Sequence, residues 1–201
     1  MTASRNDGCE AVMNWQALGS SFALVAVSEM GDKTQLLAFS LAGRFRKPWV
    51  VMAGILVATV ANHALASTVG VLIAAKLSTR FMAGILAATF IAFGLWTLKP
   101  DTLDDAQRPS RFGPFVTTVV LFFLAEMGDK TQLATVALGA RFHDFVSVTA
   151  GTTAGMMLSD GLAVAVGDRL ASRVQGRWVR VLAASLFFAF GAVSAWTAWR
   201  G

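Results

Sequence analysis

The chain has 201 residues, of which 55% are hydrophobic and 14% charged, with a mean hydropathy of +0.60. Soluble domains carry about 25% charge, and the net charge of +5 is spread over the ends of apolar runs, not gathered into the patch a nucleic-acid binder needs. With one cysteine, Cys9, an intrachain disulfide is excluded.

Composition alone would allow a soluble protein with a large core, so the lengths of the uncharged runs decide. Residues 48–75, 81–98, 145–159 and 181–199 contain no Asp, Glu, Lys or Arg. A bilayer core needs about 20 mostly apolar residues as helix, so the chain reads as polytopic. In chain order, residues 1–14 form a polar tail. Its Asp7 and Glu10 argue against a cleaved signal peptide, so the first span is expected to be retained. Apolar segments follow at 15–43, 48–75 and 81–98. A linker at 99–112 then brings three acids, three bases and two prolines. Three further apolar segments occupy 113–140, 145–172 and 178–199.

The second half repeats the first at an offset of 97 residues. Glu29-Met30-Gly31-Asp32-Lys33-Thr34-Gln35-Leu36 returns unchanged as Glu126-Met127-Gly128-Asp129-Lys130-Thr131-Gln132-Leu133. Arg44-Phe45 matches Arg141-Phe142, Ala53-Gly54 matches Ala150-Gly151, and Ala92-Phe93-Gly94 matches Ala189-Phe190-Gly191. With three segments per half, the second half must enter the bilayer from the opposite side. The expected fold is an all-α membrane protein of six transmembrane helices arranged as two inverted three-helix repeats, 15–98 and 113–199. Outside the motifs, ten bases fall on one side and five on the other. The positive-inside rule then puts the 99–112 linker in the cytoplasm and both termini outside.

Both octapeptides lie inside apolar segments. Eleven uncharged residues precede Glu126 and ten follow Lys130. Neither piece alone spans a bilayer at 1.5 Å per residue, so each motif is expected near mid-depth in one segment. Ionisable groups there need a partner, water or an interior to face. Glu29 and Asp32, like Glu126 and Asp129, are three apart and would share a helical face. Inverted symmetry can bring the four carboxylates into one cleft. Gly31 and Gly128 permit a kink, and carbonyls freed there, with Thr34, Gln35, Thr131 and Gln132, could add neutral oxygens. Such a site suits a hard divalent cation, calcium, manganese or magnesium. Lys33 and Lys130 would offset part of its negative charge. Carboxylates sharing a site repel one another when all are ionised, so protons can compete with the metal. The bland alternative is a structural ion-pair network, since Glu with Lys four residues on is an ordinary helix pair. Four acids, however, exceed what two lysines need.

His63 and Asp160 occupy equivalent repeat positions in the second and fifth segments and are candidate proton or metal relays. For His63, a hydrogen-bonded packing role is as good a reading. Asn62 and Ser159 beside them fit helix contacts better than ion binding. Small-residue pairs such as Ala150-Gly151 and Ala154-Gly155 fit close helix packing. Trp96, Trp178, Trp196 and Trp199 fit interfacial anchors.

The duplicated octapeptides resemble the E-x-G-D-[KR]-[ST] motifs of a known family. It comprises bacterial manganese exporters of the MneA type and Golgi or chloroplast calcium/manganese transporters. The resemblance runs from about Leu18 to Trp199. It implies a six-helix protein of two inverted halves carrying out secondary transport of manganese or calcium against protons. The family's motif acids fall on Glu29, Asp32, Glu126 and Asp129, with Lys33, Thr34, Lys130 and Thr131 completing the motifs; His63 and Asp160 lie outside them. The short linker looks like the bacterial branch, which implies manganese efflux across a bacterial inner membrane. On this reading the chain is not an enzyme and needs no cofactor, the metal being cargo. Its partners are a divalent cation, protons and the lipid bilayer, with no nucleic acid and nothing that indicates an oligomer. The rival reading is an intramembrane metal-dependent lipid-phosphate hydrolase, although no phosphate-binding arginine adjoins either motif in sequence. An assembly factor without transport of its own is a third.

Overall fold

The computed structural model describes residues 13–98, 112–166 and 177–200. Most of the N-terminal tail, including Cys9, the linker residues 99–111 and the end of the fifth apolar segment, 167–172 with Arg169, lie outside them. So does the side chain of Trp178. Among the described residues all regular structure is helical. The elements are α1 (Trp15–Ser28), α2 (Lys33–Phe45), α3 (Pro48–Ala74), α4 (Thr79–Thr97), α5 (Pro114–Glu126), α6 (Lys130–Phe142), α7 (Phe145–Val166) and α8 (Arg177–Arg200). Among the described residues three helical stretches are long and apolar enough to cross a membrane: α3, α4 and Val181–Arg200 of α8.

The first and fourth apolar segments are not single helices. Each is split at its octapeptide, α1 from α2 and α5 from α6, into pieces of 13 or 14 residues. The cause is local. Gly31 and Gly128 take φ values of +82° and +78°, a left-handed conformation that glycine adopts without steric cost. The following aspartates start the next helices from extended backbone. Asp32 caps α2 by accepting from the Lys33 N–H at 2.6 Å. The helical face expected to join Glu29 to Asp32, and Glu126 to Asp129, is therefore not formed. Glu29 closes α1, Asp32 opens α2, and a tight turn joins them, the Asp32 N–H donating to the Glu29 carbonyl at 3.1 Å. Asp129 and Glu126 make the same turn, also at 3.1 Å. The Glu29 and Glu126 carbonyls thus each accept a hydrogen bond across the break.

Packing recurs under the 97-residue offset. Helix α7 lies against α1 and α2, and α3 lies against α5 and α6; α3 also meets α7, and α4 meets α8. Close approach requires small residues. A Cβ on Gly151 would sit 2.4 Å from the Leu18 carbonyl oxygen, and one on Gly54 would sit 3.1 Å from the Phe115 carbonyl oxygen. Both glycines, and both carbonyls, are 97 positions apart. Phe90 and Phe187 are fully buried and join α4 to α8, their rings 6.5 Å apart. A second core, around Leu41, Val51, Ile55 and Phe122, ties α2, α3 and α5. The outer surface keeps large apolar side chains exposed, among them Leu65, Leu72, Leu95, Leu124 and Leu182, with Trp96, Trp196 and Trp199 toward helix ends. Such a surface fits lipid.

Candidate metal centre

The two helix breaks meet in the interior. Glu29, Asp32, Glu126, Asp129 and Lys130 are all buried. Carboxylate oxygens of Glu29, Glu126 and Asp129 lie within 4.8 Å of one another. Asp32 stands in a crossed pair of ion bridges: Lys130 Nζ lies 2.7 Å from Asp32 Oδ2, and Lys33 Nζ lies 3.1 Å from Asp129 Oδ1. Each lysine thus binds the aspartate of the other motif. The same-helix Glu–Lys pair weighed from the sequence is not the one adopted, because the break puts Glu29 and Lys33 on different helices.

The two glutamates are treated unequally. Thr34 Oγ1 donates to Glu29 Oε2 at 2.8 Å, and Thr131 Oγ1 donates to Glu29 Oε1. Among the described residues Glu126 has no hydrogen-bond partner on either oxygen, and Asp129 has none on Oδ2. Three buried carboxylate oxygens without partners are costly, and they belong to the cluster whose spacing suits one cation. The donor set is oxygen alone, which fits hard divalent ions.

The glutamines do not offer their oxygens to this cluster. Gln35 Oε1 accepts from the Gly31 N–H at 2.8 Å, and Gln132 Oε1 accepts from the Gly128 N–H at 2.7 Å. Their amide nitrogens reach the opposite half. Gln35 Nε2 donates to the carbonyl and the hydroxyl of Ser159, both at 2.8 Å, and Gln132 Nε2 donates to Asn62 Oδ1 at 3.3 Å. Asn62 and Ser159 are repeat equivalents, so each break is tied to the long helix of the other half at the same position. That both copies carry a polar residue there is the sequence signal for this tether. Next to them, His63 and Asp160 are fully buried, and neither has a hydrogen-bond partner among the described residues. Asp160 lies within electrostatic reach of Glu29 and Asp32 but outside the three-carboxylate cluster.

A bundle of apolar helices, two of its segments broken around a buried knot of carboxylates, is the build of a membrane transporter for cations. Comparison with known proteins makes the class specific: the chain belongs to the GDT1 family, whose model is described as "Divalent cation/proton antiporter GDT1" and matches residues 17–105 and again 114–201. The chain is 44% identical over 171 residues to a Vibrio cholerae protein named "Putative manganese exporter", covering 85% of this chain and 86% of that one. It is 32% identical to a GDT1-like protein of Synechocystis sp., over 90% of this chain and 97% of that one. It is 30% identical to GDT1-like protein 3 of Oryza sativa subsp. indica, over 90% of this chain and 74% of that one. No solved structure matches it. The family is one of antiporters, so the chain is a transporter and not an enzyme, and the hydrolase reading falls.

Proposed function

We propose that this protein exports manganese from a bacterial cytoplasm in exchange for protons. The metal is held between the two halves by Glu29, Glu126 and Asp129, and Asp32 supplies the fourth charge. The observation that carries the reading is the cluster itself: carboxylates from both octapeptides within 4.8 Å, three of their oxygens buried and without hydrogen-bond partners among the described residues. The identity with a V. cholerae protein named as a manganese exporter favours manganese over calcium. On this reading 15–98 and 113–199 are inverted repeats that supply six spans, with α1–α2 and α5–α6 each counting as one broken span. The linker is cytoplasmic and the termini outside, in the inner membrane. Rocking of one half against the other exposes the cation to alternate sides. Lys33 and Lys130 hold the aspartates in place when no metal is bound. Asp160, within electrostatic reach of the centre, and His63, buried on α3, serve as relays for protons or metal.

Purified protein in proteoliposomes tests this. A manganese gradient should drive proton movement in the opposite direction, with calcium and magnesium compared in parallel. Glu126→Gln should abolish the flux, and manganese tolerance in cells, while the protein still reaches the membrane. Undiminished flux in that variant at equal protein content would remove the assignment.

A further inference from the structure

The end of the bundle where α3, α6 and α8 finish carries a cavity that the cation centre does not use. It holds about 230 Å3, and Thr79, Arg141, His143, Ser194 and Thr197 form its polar wall. Arg141 is half-buried there. Its Nη1 donates to Ser194 Oγ at 2.9 Å, and the guanidinium lies over the Phe190 ring, 5.4 Å from the centroid. Among the described residues no carboxylate comes within ion-pair distance of it. Asp144, near in sequence, accepts the Ser147 N–H on Oδ1 at 2.9 Å. One serine hydroxyl therefore answers a group with five N–H donors. A charge drawn partly out of water without a counterion is unfavourable, so the cavity is short of an anion. The repeat counterpart, Arg44, is exposed; burial is particular to Arg141 and not a demand of the Arg-Phe pair.

The cavity adjoins an apolar groove across shared wall residues. Met82, Leu86 and Ala140 wall both spaces, and the groove, about 220 Å3, runs on between Ile73, Ile85, Phe93, Leu133 and Val136, with Thr89 its polar exception. Lys76 and Arg80 stand exposed on and just after the α3–α4 turn, and His143 is exposed beside Arg141. The space thus has a cationic end at the boundary of the bundle and a greasy channel along α4 and α6.

We propose that this joined cavity binds an anionic glycerophospholipid, its phosphate on Arg141 and an acyl chain in the groove between α4 and α6. A free inorganic anion would satisfy Arg141 but leave the groove empty. A zwitterionic lipid would bring its own cation to a rim that is already basic. Since α4 belongs to the first half and α6 to the second, the lipid bridges the two. This site is independent of the metal reading.

Thermal unfolding of the purified full chain in dodecyl maltoside tests the proposal, with dioleoylphosphatidylglycerol, dioleoylphosphatidylcholine or inorganic phosphate added. Phosphatidylglycerol should raise the midpoint saturably, by about 5 °C when well above its Kd, and the other two should not. Arg141→Gln should lose the shift. Thr89→Trp, which fills the groove at a partly exposed position that does not line the Arg141 cavity, should lose it as well, and it carries the test if Arg141→Gln does not fold. Arg44→Gln should keep it. A wild-type shift in Thr89→Trp or Arg141→Gln would overturn the proposal. An equal shift with inorganic phosphate would make this a free-anion site, and an equal shift with phosphatidylcholine would remove the charge recognition; either result also overturns it.

Discussion

At the scale of single residues, the two crossed ion bridges are unequal. Lys130 and Asp32 have side chains 5% and 0% exposed, whereas Lys33, opposite Asp129, is 31% exposed. Removing one member of a buried pair costs about 3–5 kcal/mol, because the charge left behind loses its compensation; an exposed pair contributes roughly 0–1 kcal/mol. Lys130→Met should therefore destabilise the protein in detergent several times more than Lys33→Met, and Asp32→Asn added to Lys130→Met should recover part of the loss. Equal destabilisation by the two lysine variants would show that the burial difference carries no energy. The residues themselves were legible in the sequence, since charges repeated within apolar runs have few structural uses. Their pairing was not. Spacing along a chain reports local neighbours, and Glu29 with Lys33 looks like a helix pair until Gly31 turns the backbone and sends Lys33 toward Asp129. The glutamine oxygens misled for a similar reason: Gln35 and Gln132 lie close to the acids in sequence, but each turns back to cap the glycine N–H that the break leaves open.

The element that matters most is the break itself. Among the described residues nothing lies within 4 Å of where a Cβ on Gly128 would sit, so a side chain there meets no steric obstacle from them. The obstacle is the backbone, φ +78°, which disfavours an L-residue by roughly 1–2 kcal/mol. Gly128→Ala should lower stability by that amount and slow transport, and a variant as stable as the parent would mean the left-handed turn is not needed. The glutamine tethers predict a further asymmetry. Gln35 holds Ser159 through two contacts at 2.8 Å, while Gln132 holds Asn62 through one at 3.3 Å. Hydrogen exchange in peptides covering the breaks should accelerate more in Gln35→Ala than in Gln132→Ala; the reverse order would contradict this geometry. A kink was legible from glycine between two acids. That the kink would be a full break, with Asp32 as a helix cap, depends on which of two local preferences wins, continued helix or aspartate capping, and the apolar run on either side hides the choice.

For the whole molecule, the 97-residue offset was legible from identities such as Arg44-Phe45 with Arg141-Phe142, and it recurs in three dimensions where Gly54 meets Phe115 and Gly151 meets Leu18. The sequence did not show where the equivalence lapses: Glu29 receives both threonine hydroxyls and Glu126 receives none. That asymmetry leaves the overall charge of the twin motifs unaffected, and the charge has a consequence for transport. The octapeptides contribute four carboxylates and two ammonium groups, a net of two negative charges. One divalent cation neutralises that sum, and so do two protons. A centre that passes through a low-dielectric layer moves at least cost when neutral, so both loaded forms satisfy the same condition if two protons exchange for one metal. Manganese flux in proteoliposomes should then be indifferent to a valinomycin-set potential. It should reverse when a one-unit pH difference opposes an approximately 100-fold manganese gradient, the square of the tenfold proton ratio. A carrier moving one net charge per cycle would instead shift its balancing gradient about 50-fold per 100 mV, since each charge is worth about 2.3 kcal/mol at that potential. A shift of that size would show that the two lysines do not stay with the centre as it turns, and that the fixed charge crossing the membrane is not the charge of the two motifs.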